Sequence, residues 1–514
     1  MKNKFTAFLL LQCALIGGWP STAAPAPQFR TIYQFGALNN IPGSELTVGP
    51  AGQLFGTTYG GAYSDGAGSV YELTPQAGGT FNFKELYRFD SAYSPPNDGQ
   101  NPYAGLTLSP DGTTLYGTTQ NGGSNSLGTT FSLKISQAEG NAVIKPNYGI
   151  DFSYDTVIAN TSQTGNGSRT TGSAFGDFVT GALFLFGTVV NGGSGDYGAL
   201  TMLEVHPGSN NAVIVVVVGF QPQLGTHPQG KLAFGSSGAS GSIVPHATGF
   251  NPADYAIYGV AGNGGSNNVG TVYSVRGDGS NFMVLHHFKS AATNGATPLG
   301  GMVLSGNTLY GTTSGGGTNS AGTVFQINTD GSGFKLLASF NYSTTGSNPQ
   351  GDLILGGDTL YGTTYFGGTN GGGTVFSIKT NGTTLTILHS FQSPMDDGNG
   401  HYTNSDGGWS GSGLALSGNI LYGTTPYGGT NGVGTAYEII LPGPPSLNVT
   451  RSGGSVQILW PSSATNYVLQ SNSTLNSLTW SNAPGYTDDG TNRSVLLSTP
   501  KGSIFFRLLS TNGL

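Results

Sequence analysis

Charge is the scarcest property of this chain: its 514 residues include 17 Lys and Arg and 24 Asp and Glu, a formal net charge of -7. No run of basic residues exists that could follow a phosphate backbone, which argues against nucleic acid as a partner. General acids, bases and metal ligands must come from the few carboxylates and seven histidines, so a binding or scaffold role starts ahead of an enzyme. The only cysteine, Cys13, lies in the leading segment, and the chain beyond it must hold together without disulfides. Its neighbours Leu10-Leu11-Gln12 place Gln where a lipoprotein signal carries a small residue. Long apolar runs are missing too: the stretch from Phe5 to Ile16 falls short of the ~20 residues that cross a bilayer, and nothing later is longer. HExxH, CxxC, P-loop and G-x-S-x-G arrangements are absent, as is the sialidase Asp box, whose nearest approach, Ser109 to Tyr116, fails at its glycine and aromatic end.

What the chain has in abundance is glycine, 88 residues, together with 27 Phe and 24 Tyr in a composition that is 36% hydrophobic. That is too apolar for a disordered linker, and the glycines do not recur every third residue as collagen requires. Residues 1–24 read as an export signal: Lys2 and Lys4, the apolar run, a break at Gly17-Gly18-Trp19-Pro20, then the small residues Ser21 to Ala24. The expected location is the periplasm, the cell surface or the medium.

One phrase recurs seven times: Leu-Phe/Tyr-Gly with a Thr-rich step, a Gly-Gly pair, then Gly-Thr-Val-Phe or a near copy. Its first glycines are Gly56, Gly117, Gly187, Gly259, Gly311, Gly362 and Gly423, spaced 51 to 72 residues apart. From that glycine to the second-half glycine the distance is 11 residues in six copies and 12 in the first, which predicts a fixed hairpin. Each unit reads as four short strands, in the sixth copy Asp352 to Leu355, Thr359 to Thr363, Thr374 to Ile378 and Leu385 to Phe391. Tight turns fall at Asp111-Gly112, Asp278-Gly279, Asp330-Gly331, Gly357-Asp358 and Asn381-Gly382. A Gly-x-x-Pro segment precedes the first strand at Gly99, Gly225, Gly295 and Gly346, and is missing or altered in the third and seventh units.

Four antiparallel strands in about 50 residues suit the blade of a β-propeller better than a solenoid coil. The seventh unit ends at Thr435 to Ile440 without a fourth strand, and Phe29 to Phe35 is a fourth strand without the other three. The expected fold is therefore all-β, a seven-bladed β-propeller of four-stranded blades over residues 29–440, closed by its N-terminal strand so that two sheet edges are paired. These copies resemble the GloVer-type tandem repeat of bacterial exported proteins, which read like LYGTT, a GG pair and GTVF after DG-x-x-P. The resemblance covers residues 29 to 440 and implies a secreted or surface repeat protein, with no catalytic residue to carry over. Copies three and four depart from it, with Thr188-Val189 and Val260-Ala261 in place of the Thr pair.

A proline-marked linker at 441–445 leads to a second module, 446–514, with strands expected at 455–460, 467–472, 479–482, 494–498 and 504–509. It looks like an immunoglobulin- or fibronectin-like β-sandwich acting as a spacer or attachment domain. A monomer is expected.

If first strands line the channel, the loops joining strands two to three and four to one share a face. Tyr59, Phe366 and Tyr427 mark their tips, and insertions at 91–104, 153–172 and 392–412 enlarge them; the insertion at 236–252 falls on the opposite face. The candidate ligand-binding set lies in the last of the three: Asp396, Asp397, Asn399, Tyr402, Asp406 and Trp409. Its oxygens allow a calcium loop, although His401 and the lack of a closing Glu break the EF-hand pattern. Read instead as a glycan site, Trp409 or Tyr402 stacks on a sugar face; read as a bland loop, the segment is solvated turn. His286-His287 sits on a fourth strand whose alternation sends the rings to opposite faces, which favours packing over metal ligation. The leading function is binding of carbohydrate or protein. A polysaccharide hydrolase or lyase using Asp98, Asp396, Asp397 or Asp406 requires a carboxylate pair across a pocket, and a structural scaffold requires no pocket.

Overall fold

The computed structural model describes residues 26–36, 41–59, 67–89, 99–109, 111–121, 129–135, 143–145, 170–177, 182–190, 197–205, 212–236, 254–398, 401–442, 447–452, 455–461, 467–472, 480–483, 485–489, 492–498 and 504–510. Every regular element among them is a β-strand. The insertions at 153–169 and 237–252, and Asp98, lie outside these residues. The chain divides into two compact units, Gln28–Leu441 and Pro442–Leu514.

In the larger unit the strands form successive antiparallel sheets, one per sequence repeat. The sixth shows the pattern: Ile354–Gly356, Thr359–Thr364, Gly371–Lys379 and Thr386–Gln392 pair in that order. The expected turns form, with positive φ at Gly112, Gly279, Gly331, Gly357 and Gly382. The seventh sheet takes Ala415–Ser417, Ile420–Thr425 and Thr435–Ile440 from its own repeat, and its fourth strand is Gln28–Gln34, paired antiparallel to Thr435–Ile440. In that pairing Arg30 lies opposite Glu438 and makes an ion pair with it at 2.6 Å.

Turn chemistry does not explain the glycine of Leu-Tyr-Gly. It sits mid-strand opposite the aromatic residue of Gly-Thr-Val-Phe, as Gly311 does opposite Phe325 and Gly362 opposite Phe376. A Cβ on Gly362 would stand 2.7 Å from the Phe376 ring, so glycine is required because the ring lies over it. The second glycine does need its backbone freedom: Gly322 has φ +99, and its missing Cβ leaves room for Pro349 of the next Gly-x-x-Pro.

Two kinds of contact join consecutive sheets. The phenylalanine ending each fourth strand meets, edge to face, the aromatic of the following repeat: Phe288 with Phe325, Phe340 with Phe376 and Phe391 with Tyr437, at 4.9 to 5.2 Å. Phe35 meets Tyr71 in the same way at 5.2 Å, which joins the seventh sheet to the first. Ile32, Phe35, Tyr422 and Ala436 share one buried cluster with Leu46, Leu54, Tyr71 and Leu73. The threonine pair supplies the second contact. The first threonine reaches the neighbouring sheet, Thr363 Oγ1 to the Ser412 carbonyl and Thr424 Oγ1 to that of Ser44, both at 2.9 Å. The second clasps its own hairpin, as Thr364 with Thr374 and Thr425 with Thr435 at 2.9 Å. These bonds satisfy the hydroxyls of Thr363, Thr364, Thr424 and Thr425 within a core that excludes water.

The smaller unit has two sheets, Asn448–Ser452, Ser455–Pro461, Asn492–Ser498 and Thr487–Asp488 in one, Ser481–Asn482, Tyr467–Asn472 and Phe505–Ser510 in the other. Ile458, Trp460, Leu469 and Val495 form its core. The strands Asn448–Ser452 and Thr487–Asp488 were not marked by alternation in the sequence.

Candidate functional site

Two regions of the larger unit bear on function, the hairpin around residue 400 and a pair of adjoining cavities, here called the channel and its mouth, lined by segments of successive repeats. In the hairpin, Met395–Asp396 pairs with Tyr402–Thr403. Asp396 accepts a hydrogen bond from the Gly398 backbone at 2.9 Å, and Asp397 caps His401, meeting its Nδ1 at 3.0 Å. Asp406 faces inward and is buried, with its Oδ2 hydrogen-bonded to His389 Nε2 at 2.8 Å. The His389 ring in turn stacks on Phe29 at 3.6 Å. Asn399 lies outside the described residues. The carboxylates expected here thus serve their own turn or a buried histidine, and no group of three metal-ligating side chains gathers anywhere among the described residues. His286 stacks on Phe334 at 3.7 Å and pairs with Asn294, while His287 Nδ1 accepts the Ser266 backbone N–H, so the two histidines serve packing and turn formation.

The aromatic members of the predicted set behave differently. Trp409 occupies the third position of the altered Gly-x-x-Pro segment and has φ +57, the value that Asn101, His227, Thr297 and Asn348 adopt at the same place. Its N–H donates to the Gly372 carbonyl at 2.8 Å, just as Asn348 donates to Ala321 at 2.9 Å. A left-handed conformation is costly for a bulky residue and persists where its surroundings hold it. The Trp409 ring lies 5.4 Å from Tyr402, 5.1 Å from Tyr427 and 6.3 Å from Phe366. Phe366 touches Tyr365 at 4.5 Å. An aromatic row therefore runs from the hairpin to the channel.

At the end of that row is a cavity of about 390 Å³ lined by Tyr59, Tyr103, Tyr365 and Tyr427 with the amides of Asn101 and Gln120. Tyr59 and Tyr103 lie 5.3 Å apart. The tip residues Tyr59 and Tyr427 were legible in the sequence; Tyr103, Tyr365, Asn101 and Gln120 were not singled out. A usable signal existed. The residue after each Thr pair varies while its neighbours repeat, as Tyr59, Gln120, Ser314, Tyr365 and Pro426, and so does the residue after the Gly-x-x-Pro proline, as Tyr103, Gln229, Leu299 and Gln350. Variation at fixed geometry places different side chains around one opening.

Below the mouth is a channel cavity of about 590 Å³ built from the first-strand segments, which shares Gly43, Tyr103, Gly411 and Ser412 with the mouth. Its described lining includes three charged residues, Glu45, Lys231 and Asp352. Lys231 Nζ approaches Glu45 Oε1 at 3.4 Å. Asp352 Oδ1 accepts the backbone N–H groups of Lys231 and Gly301, tying the fourth and fifth sheets to the sixth. Burial in the channel wall pushes the Glu45 carboxyl up, against the pull of Lys231, and Asp352 pushes it further up.

No match is found among curated proteins. Among solved structures the larger part of the chain is similar to a putative 6-phosphogluconolactonase from Bacteroides fragilis, with 14% identity, 67% of this chain and 82% of that chain covered, and a TM-score of 0.41. It is also similar to the polysaccharide lyase Uly1, with 12% identity, 80% and 92% covered and a TM-score of 0.40. The β-propeller domain of the Trilobed protease from Pyrococcus furiosus is similar at 8% identity, 68% and 84% covered and a TM-score of 0.32. These are distant likenesses of fold alone. Residues 245–443 match the Gloeobacter/Verrucomicrobia repeat.

Proposed function

We propose that the larger unit is a closed seven-bladed β-propeller of an exported protein and that its channel mouth binds carbohydrate without transforming it. Closure is supported by the strand Gln28–Gln34 completing the seventh sheet and by the Phe35–Tyr71 contact with the first. Export is supported by the leading segment, residues 1–24. The smaller unit then serves as an immunoglobulin- or fibronectin-like spacer, consistent with its two small sheets.

The observation that carries the binding function is the cavity at the mouth, with four tyrosines and two amides converging on about 390 Å³. Tyrosine offers a flat apolar face to the C–H side of a sugar ring and a hydroxyl to its edge, and amides pair with vicinal hydroxyls. The described lining of this mouth is tyrosine, amide, glycine, serine and proline, a surface suited to holding a sugar. The test is titration of the folded protein with glycans found on a glycan array, repeated for Tyr365→Ala and Tyr427→Ala. Each variant is expected to bind at least roughly tenfold more weakly, because aromatic anchors carry much of the energy of such sites. Wild-type affinity in both variants, or an array without any ligand for the folded protein, would reject the proposal.

A further inference from the structure

Six first-strand segments that follow a Gly-x-x-Pro or its counterpart carry one equivalent residue each, Glu45, Gly105, Lys231, Gly301, Asp352 and Gly413, each three positions after the proline or the residue in its place, and all but Gly301 line the channel. In a chain this poor in charge, three of these six positions are charged and the other three are glycine. The glycines make the room that the charged side chains fill. A Cβ on Gly413 would stand 3.1 Å from Glu45 Oε2 and 3.2 Å from Asp352 Cβ, and one on Gly105 would stand 3.4 Å from Glu45 Cβ. Among the described residues of this layer, two carboxyl groups face one ammonium.

We propose that this layer selects among sugars at the mouth above it, favouring an amino sugar with a free, protonated amine. The inference rests on the carbohydrate reading of the mouth and adds to it the charge of the ligand. The two cavities share Gly43, Tyr103, Gly411 and Ser412, so a group carried by a sugar at the mouth reaches the charged layer without crossing a wall. Asp352 accepts the backbone N–H groups of Lys231 and Gly301, which fixes its carboxylate in this layer. Lys231 is already engaged by Glu45, so an anionic sugar would meet one occupied ammonium and two carboxylates. An added ammonium instead offsets the second carboxyl and faces tyrosine rings whose π-faces attract cations. The net charge of -7 over the whole chain acts in the same direction.

The experiment uses the full chain and three oligosaccharides of equal length, a glucosamine oligomer, its fully N-acetylated form and a uronic-acid oligomer. Each is titrated calorimetrically at about pH 6, where the amine is protonated, into the wild type, Glu45→Gln and Lys231→Met, after melting curves show that each is folded. The glucosamine oligomer is expected to bind roughly tenfold tighter than the N-acetylated form. Glu45→Gln should abolish that preference while leaving the N-acetylated affinity unchanged, and Lys231→Met should enlarge it. Equal or tighter binding of the N-acetylated or uronic oligomer overturns the charge selection, as does a preference that survives Glu45→Gln, while the carbohydrate site itself stands. Absence of binding by all three oligomers overturns both.

Discussion

At the scale of single residues, the repeat is a set of steric bargains between neighbours. Gly362 is glycine because the Phe376 ring and Leu353 occupy the space of a side chain, 2.7 and 2.8 Å from where its Cβ would be. Gly362→Ala should therefore destabilise the larger unit by about 1–3 kcal/mol, the usual cost of overpacking a closed core. Chemical denaturation measures this, and adding Phe376→Leu should recover part of the loss; an alanine variant as stable as the wild type would show that the ring yields freely. The sequence displayed the glycine but not its cause, because a ring lying across a strand is a relation between positions 14 apart in the chain. Trp409 shows the same limit. Its aromatic character made it a candidate from sequence, whereas its left-handed backbone is a property of the folded segment Gly407 to Ser410.

At the scale of elements, the hairpin turns carry a titratable device. The Asp278 carboxylate is held below the usual range by the Ser280 hydroxyl and backbone N–H, and the Asp330 carboxylate by those of Ser332. Asp111 is lowered likewise by Ser109 and Thr113. A carboxyl lowered in the folded chain contributes stability above its unfolded value of about 3.9, and that contribution is lost as pH falls through the folded value. The sixth repeat has Asn381 at this place, which accepts the same pair of bonds from Thr383 without titrating. The triple variant Asp111→Asn, Asp278→Asn, Asp330→Asn should thus melt less steeply with falling pH below about 4 than the wild type. Parallel acid limbs would show that these turns do not feel their own charge. The turns were legible because Asp-Gly and Asn-Gly are local signals. The outer strands of the smaller unit were not: Asn448–Ser452 and Thr487–Asp488 each pair with the next strand along the chain, but neither carries an alternating apolar pattern to mark it.

At the scale of the whole molecule, the pairing of the larger unit's first strand with its last bears on stability. Removing Gln28 to Phe35 would strip the Arg30–Glu438 ion pair, the Phe35–Tyr71 contact and the hydrogen-bonded edge along Thr435–Ile440. Glu438 is buried and would be left without its partner, a situation that costs more than the pair itself gains. The truncated chain should melt at a markedly lower temperature, and Phe35→Ala alone should cost about 3–5 kcal/mol. Unchanged melting of the truncated chain would mean that the ends do not hold one another.

By itself the sequence determined the repeat, its four strands, the turns between them and the complementarity of the two ends. All of these follow from local propensity and from a period that recurs along the chain. It also marked the aromatic tips Tyr59, Phe366 and Tyr427 and the insertion residues Tyr402 and Trp409. Only the tertiary structure decided which of the candidate residues face a cavity. Asp396 and Asp397 turned into their own hairpin and Asp406 toward His389, while Tyr103 and Tyr365, from repeats more than 200 residues apart, came to line one mouth. Glu45, Lys231 and Asp352 met in the channel for the same reason: arranging sheets around a channel brings equivalent positions of distant repeats to one level, and no local pattern in a linear chain encodes which of them will face each other.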